Sequence, residues 1–477
     1  MTDEPLATRT FTADDQLAFA RLSLDWNPMH LDTDFARRTQ MGAPVVHGIH
    51  TLLWAVDAVL RSSAFDIENI RVRFHQPLFP GEIAAVKVVS RTETVVAIEV
   101  VADSTAVAAI RLSSESGKLM GSSARGIALA PQPIAKAVDA SFERLAEGQG
   151  TVEAGATDHE IEALFPALSD AIGASAVRGL LATSQIVGMA CPGLHSLFAG
   201  LDITCDPAAE PARALAYAVS KSDARFRSLK IDVTGSGIAG RLEAFARQPP
   251  PTQPAMKEIT ARVRKGAFSG QRALIVGGSR GLGEVTAKIL AAGGGHPVIT
   301  YREGKREAEA IAADIMQAGG QCEIIRYDAL EPVAGQLDGI GAVGCCYYFA
   351  TARILQRRSG RYEPEKLRGF LNYYVDGFYN LCAALARNGA GQIGIFYPST
   401  GLIDEKAPNV AEYVMAKAAG EMLAKYVGAF QPNLHVISRR LPRTATDQAA
   451  TIGVASAQDA LDVMLPIVYE VQQIARP

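Results

Sequence analysis

One hexapeptide, Asp25-Trp26-Asn27-Pro28-Met29-His30, sets a carboxylate and an imidazole on either side of a rigid Asn-Pro turn. His47-Gly48-Ile49-His50 follows, with Gly48 at the start of an apolar run that reads as a helix. Proton abstraction beside a thioester carbonyl, which moves water across a double bond, calls for such equipment. It needs a base close to the α-carbon and donors aimed at the developing enolate oxygen. A second constellation lies far downstream. Gly277, Gly281 and Gly283 follow a short apolar run, where glycines permit a tight turn and close approach of a pyrophosphate to a helix N-terminus. Tyr413 and Lys417 stand one helical turn apart, so a phenol and an ammonium share a face. That spacing is common by chance, and its weight comes from its place along an α/β pattern.

The pattern D-x-N-P-x-H resembles the MaoC-like, or hydratase-2, family of hot-dog-fold enoyl hydratases and 3-hydroxyacyl dehydratases. This resemblance implies that Asp25 and His30 are an acid/base pair and that Asn27 orients them. It also implies that Gly48 offers its backbone N–H to the thioester carbonyl. The family's usual glycine before the aspartate is Leu24 here. The alternative is that Asp25 caps a helix and His30 is a satisfied polar residue. His50 and His195 read as core or helix-surface histidines.

The downstream motifs resemble a short-chain dehydrogenase/reductase. By that resemblance Gly277, Ser279, Arg280, Gly281, Leu282 and Gly283 hold a dinucleotide, with Asp328 and Ala329 beside its adenine. Ser399 would anchor the substrate carbonyl, with Thr400, one residue on, as the alternative. Tyr413 would give the proton, and Lys417 with the nicotinamide would lower its pKa. Arg280 and Arg302, with no acid at the end of the second strand, point to NADPH over NADH; solvated surface arginines are the other reading. Two departures stand out. Tyr348-Phe349-Ala350-Thr351 replaces the family's Asn-Asn-Ala-Gly, and Tyr374 occupies the place of the helix asparagine that completes the proton relay. Arg357, Arg358 and Arg361 form either a receptor for the phosphate of a long substrate arm or a solvated basic loop.

The elements that must position these groups divide the chain into four parts. Residues 1–130 read as a hot-dog domain, one helix wrapped by an antiparallel sheet, and 134–248 as a second, degenerate copy. Residues 249–268 are a linker opened by the break Gln-Pro-Pro-Pro-Thr-Gln-Pro, and 269–477 are a doubly wound Rossmann-type α/β domain. The repeat rests on two echoes: His47-Gly48-Ile49-His50 with Pro192-Gly193-Leu194-His195, and Val89-Ser90-Arg91-Thr92 with Val219-Ser220-Lys221-Ser222. Each echo is expected to open a similar element, a helix in the first case and a strand in the second. Aligned on the glycines, Asp25 falls opposite Asp170 and His30 opposite Ser175, so the first copy should carry the chemistry and the second should be structural. Two such copies in tandem make a double hot dog whose sheets lie edge to edge.

The chain has 477 residues, 48% of them hydrophobic and 20% charged, with a net charge of −3. This is ordinary globular composition for about three domains, and it gives no reason to expect nucleic acid or an anionic membrane as partner. Met1 to Gln16 is polar and shows no signal-peptide pattern, and no run is long enough to span a bilayer. The six cysteines are scattered without metal-ligand spacing, which favours reduced thiols in the cytoplasm and no metal. The expected substrate is an acyl-CoA or acyl-carrier-protein thioester, and the expected assembly a homodimer or homotetramer. Two function classes remain: a bifunctional reductase and dehydratase, running in either direction, or an active hydratase joined to a nucleotide-binding module without activity.

Overall fold

The computed structural model describes residues 4–115, 124, 126–127, 130–131, 133–206, 212–354, 356, 361–388, 391–405, 410–447 and 457–474. Arg357 and Arg358 lie outside the described residues. The chain forms two compact units, one running to Pro249 and the other starting at Pro250.

The first unit is built on ten strands: β1 (Ala7–Thr10), β2 (Asn69–Phe74), β3 (Ile83–Arg91), β4 (Val95–Ala102), β5 (Thr105–Ser113), β6 (Gln149–Glu153), β7 (Ser196–Cys205), β8 (Ala214–Asp223), β9 (Ser228–Gly235) and β10 (Ile238–Ala246). They form one sheet in the order β1-β3-β4-β5-β2-β7-β10-β9-β8-β6, antiparallel throughout. The two halves of that order mirror each other about the β2–β7 pair, where Asn69 faces Thr204 and Arg73 faces Gly200. Strand β4 shows why these segments are strands: its residues alternate between half-buried and buried along its whole length, the period of a one-sided sheet. The buried faces close over two helices, Gly48–Ser62 and Pro166–Gln185. The first buries Ile49, Leu52, Leu53, Val56 and Val59, and the second Leu168, Ile172, Val177, Leu180 and Leu181, in a single core. The expected double hot dog is the observed fold.

One echo of the repeat marks equivalent places and the other does not. Both segments of that echo carry a register shift, at Val89 in β3 against β4 and at Ser220 in β8 against β9, one position apart in the aligned residues. The glycine echo fails. No long helix opens at Gly193; Gly193–His195 is a single 3₁₀ turn that leads into β7. The second half's helix precedes it, so Ser175 is not the counterpart of His30. Its exposed hydroxyl donates to Ala212 O at 3.1 Å.

The second unit is a six-stranded parallel sheet of β11 (Arg272–Val276), β12 (His296–Tyr301), β13 (Glu323–Arg326), β14 (Cys345–Tyr348), β15 (Ile393–Thr400) and β16 (Leu434–Leu441). Their order is β13-β12-β11-β14-β15-β16. Strands β14 and β15 are buried at every position, as parallel strands covered on both faces must be. The order reverses between β11 and β14, so the glycine turn after β11 sits at the switch point where doubly wound sheets bind ligands. All six cysteines are free, and five are buried. Among the described residues no helix is long and apolar enough to cross a membrane.

The two central helices are tied by a cap. Phe165 precedes the helix Pro166–Gln185 and gives it no side-chain acceptor; Asp57, from the other helix, accepts from Leu168 N at 3.1 Å. Both tryptophans, Trp26 and Trp54, lie in the first unit. Asp57→Ala should therefore cost about 1–2 kcal/mol in the urea transition followed by tryptophan fluorescence. An unchanged midpoint would show that the cap contributes nothing.

Candidate active sites

The helix Ala13–Ser23 ends at Leu24, whose φ of 57° is left-handed. This is the position where the family resemblance led us to expect glycine, and a leucine holds that conformation at a cost. The turn delivers Asp25 into the interior, where it is 2% exposed. Its carboxylate accepts from Ser184 Oγ at 2.7 Å and from Asn27 N at 3.2 Å. Burial pushes the Asp25 pKa up; the charge of His30 and the Ser184 hydroxyl oppose that shift.

Asn27 does two jobs at once. Its Oδ1 accepts from Met29 N at 3.0 Å and so caps the short helix Pro28–Leu31 that carries His30. Its Nδ2 donates to Gly188 O at 2.7 Å and to Gly193 O at 3.1 Å, both in the second half. His30 Nδ1 lies 2.7 Å from Val45 O. A carbonyl only accepts, so the neutral ring holds its proton on Nδ1 and keeps a lone pair on Nε2. Burial lowers the His30 pKa, against the pull of Asp25.

His47 completes the cluster. Gln16 Oε1 accepts from its backbone N at 3.0 Å and from its Nδ1 at 2.9 Å. Its ring stacks on His30 at 3.7 Å, and its Nε2 lies 3.9 Å from the Asp25 carboxylate. Burial holds His47 well below the ordinary histidine range, hence neutral. Donor atoms of Asp25, His30 and His47 lie within 4.8 Å of one another, a spacing that a metal ion could also use. Gly48 opens the adjoining helix, and His47 provides no side-chain cap, which leaves the first-turn N–H groups for a ligand. A Cβ on Gly48 would stand 2.9 Å from the Phe74 ring. His50 is a core residue, stacked on Phe19 at 4.7 Å.

The sequence pattern names Asp25, Asn27, His30 and Gly48 and misses the groups that support them. Ser184 and Gly188 belong to the half expected to be structural only, and no local spacing links them to Asp25. Gly188 sits in a π-helical turn, Ile186–Ala190, and a Cβ there would meet Asp25 Oδ1 at 2.1 Å. His47 was visible beside Gly48 but carried no signal of its own.

In the second unit, Gly277 has φ 77° and Gly281 φ 57°, as the turn requires. A Cβ on Gly283 would meet Gly277 O at 2.3 Å, so glycine there lets the helix Gly281–Ala292 lie against the strand end. Ser279, Arg280 and Leu282 complete this turn. Arg280 pairs with Asp447 at 3.6 Å, and Arg302 donates to Tyr373 Oη at 2.5 Å and Glu303 Oε1 at 2.7 Å. Asp328, just beyond β13 and followed by Ala329, accepts from Leu330 N at 3.0 Å.

Two hydroxyls end β15. The Thr400 hydroxyl lowers the Tyr413 pKa, and Ser399, buried, lowers that of Glu421. Lys417 Nζ donates to Pro398 O at 2.8 Å and lies 4.0 Å above the Tyr374 ring, the residue in place of the helix asparagine. Tyr374, in the π-helical turn Asn372–Gly377, sets its hydroxyl against Thr351 Oγ1. Burial pushes Tyr413 up to about 12 and Lys417 down to about 7. Burial disfavours both charged forms here, and the Thr400 hydroxyl is the group that favours the phenolate.

Residues 2–109 match the MaoC like domain family. The mouse peroxisomal multifunctional enzyme type 2 is 38% identical over 78 residues, 16% of this chain and 11% of that protein. The chain therefore spans about a tenth of the length of that relative. A Synechocystis 3-oxoacyl-(acyl-carrier-protein) reductase is 42% identical over 55 residues, 12% of this chain and 22% of that protein. An uncharacterized oxidoreductase of Methylorubrum extorquens is 32% identical over 203 residues, 40% of this chain and 80% of that protein. The chain belongs to the family of that oxidoreductase, here fused to an N-terminal region that matches the MaoC like domain.

Two outcomes follow from the Asp25 site. Gly188→Ala must displace the carboxylate, and a loss of hydratase or dehydratase rate of about 10²-fold or more is expected with reductase rate unchanged. The acid limb of kcat/KM should lie below pH 6.5, because burial keeps His30 neutral to lower pH. Ser184→Ala removes a hydrogen bond that favours the carboxylate, so it should raise the Asp25 pKa and move upward the alkaline limb of dehydration, which requires protonated Asp25. A limb that stays in place would remove Ser184 from the site.

Proposed function

We propose that this chain reduces a 3-oxoacyl thioester with NADPH in its second unit and dehydrates the 3-hydroxyacyl product to an enoyl thioester in its first. Buried Asp25 and half-buried His30, beside the uncapped N-terminus of the helix Gly48–Ser62, are the observation that carries the reading. His30 Nε2 takes the α-proton, the Gly48 N–H meets the enolate oxygen, and Asp25, biased by burial toward its protonated form, gives a proton to the departing hydroxyl. Hydration is the reverse of these steps. An acyl-CoA or acyl-carrier-protein thioester fits this chemistry, and the protein name of the Synechocystis relative includes a carrier-linked 3-oxoacyl group.

The glycine turn with its left-handed Gly277 and close-packed Gly283 fits a dinucleotide pyrophosphate. The nicotinamide, when bound, supplies the hydride. Thr400 and Tyr413 hold the carbonyl, Tyr413 gives the proton, and Lys417 restores it. Arg280 and Arg302 support NADPH as the cofactor, each exchanging its present partner for the 2′-phosphate. Met415, Met422, Tyr426 and Phe430 form an exposed apolar stripe along the helix Ala411–Phe430 that suits a second copy of the chain, in a homodimer or homotetramer. Six free cysteines suit a reducing cytoplasm.

Asp25→Asn and His30→Ala should each abolish enoyl-thioester turnover, by about 10²–10⁴-fold, while NADPH oxidation with acetoacetyl-CoA persists. Tyr413→Phe should do the reverse. If either N-terminal variant keeps near wild-type hydration, the site assignment is wrong. NADPH should be preferred over NADH in kcat/KM, and Arg302→Ala should lower NADPH efficiency about tenfold or more, from a lost pair of about 1.5–3 kcal/mol. Equal efficiency with NADH would contradict the cofactor choice. NADPH binding without turnover of any 3-oxoacyl thioester would leave the second unit as a binding module.

A further inference from the structure

Arg247 is a buried guanidinium with no carboxylate paired to it among the described residues. It follows β10 in the first unit and is 5% exposed. Its backbone N donates to His195 O at 2.8 Å and its Nε to Ser196 O at 3.3 Å, but its Nη2 meets no acceptor among the described residues. Burial lowers its pKa only to about 10, so it remains charged at neutral pH. Leaving such an N–H and such a charge unmet is costly, and an unfilled ligand position is one of the few physical reasons for it.

The neighbours of Arg247 meet only exposed acids. His195 has a buried Nδ1 without a partner, and its Nε2 lies 3.6 Å from the exposed Asp139. Arg227 donates from Nε to Ala246 O at 2.6 Å and lies over Phe142, adding a second guanidinium to the same corner. That corner adjoins the Asp25 site. The segment Gly193–Ser196 serves both: Gly193 O accepts from Asn27, while His195 O and Ser196 O accept from Arg247. The charge of Arg247 is also felt at His30, whose protonation it opposes.

We propose that Arg247, with His195 beside it, receives an oxyanion of the thioester substrate, either a phosphate of the pantetheine arm or a carboxylate on the acyl part. The planar guanidinium fork matches both groups. This subsite rests on reading the first unit as a thioester hydratase or dehydratase, and it makes that unit selective for anionic thioesters.

The test compares wild type with Arg247→Met and Arg247→Lys. Hydration is measured with crotonyl-phosphopantetheine, crotonyl-pantetheine and a glutaconyl-pantetheine that carries a carboxylate. A phosphate receptor predicts that Arg247→Met raises KM for crotonyl-phosphopantetheine about tenfold or more, keeps kcat within about threefold, and leaves crotonyl-pantetheine unaffected. A carboxylate receptor predicts the same loss for the glutaconyl substrate alone. Arg247→Lys, which keeps the charge but not the fork, should fall between. The unfolding midpoint of Arg247→Met should stay or rise, because an unpaired buried charge is removed; an arginine kept for structure would lower it. Unchanged KM for both anionic substrates, or an equal rise for crotonyl-pantetheine, overturns the proposal. Calorimetric binding of phosphopantetheine and glutaryl-pantetheine separates the two readings. Binding weakened about tenfold in Arg247→Met, in a protein that hydrates nothing, would keep the anion subsite and remove the hydratase reading.

Discussion

The carboxylate of Asp25 is the group around which the first unit is arranged. A carboxylate at 2% exposure survives in a protein interior only if donors surround it, and the donors come from both halves of the chain. Asn27 N belongs to the first half. Ser184, and Gly188 whose missing side chain leaves room for the carboxylate oxygen, belong to the second. The site is thus built where the two helices and the continuous ten-stranded sheet bring residues more than 150 positions apart into contact.

This arrangement gives the degenerate half a role. It supplies a helix, a π-helical turn and the Gly193–Ser196 segment, which contact Asp25, Asn27 or Arg247. Asn27 is the clearest link. One side-chain amide caps the helix that carries His30 and, through its Nδ2, ties that helix to two carbonyls of the other half. Separation of the halves would leave a buried carboxylate and a buried amide without partners at the same time.

The parts that were legible in the sequence are those with short-range signatures. Alternating apolar residues announced β3, β4 and β5, the Asn-Pro pair announced the turn between Asp25 and His30, and the G-x-x-x-G-x-G spacing announced the turn after β11. The rest depends on contacts that the chain makes with itself over long separations. Ser184 and Gly188 are ordinary helix residues until Asp25 is placed against them. The glycine echo at Gly193 misled because a glycine needed in a turn before a strand looks the same, in sequence, as one opening a helix. Burial, which sequence spacing does not report, raises the Tyr413 pKa and lowers that of Lys417.

The central claim is that two consecutive steps of acyl-thioester chemistry take place on one chain. A single reaction of the full-length protein with NADPH and acetoacetyl-CoA, followed at once by NADPH absorbance and enoyl-thioester absorbance, tests it most directly. The account predicts loss of NADPH followed by appearance of the enoyl thioester, without any added enzyme. NADPH loss that stops at the 3-hydroxyacyl thioester, or no NADPH loss at all, would contradict it.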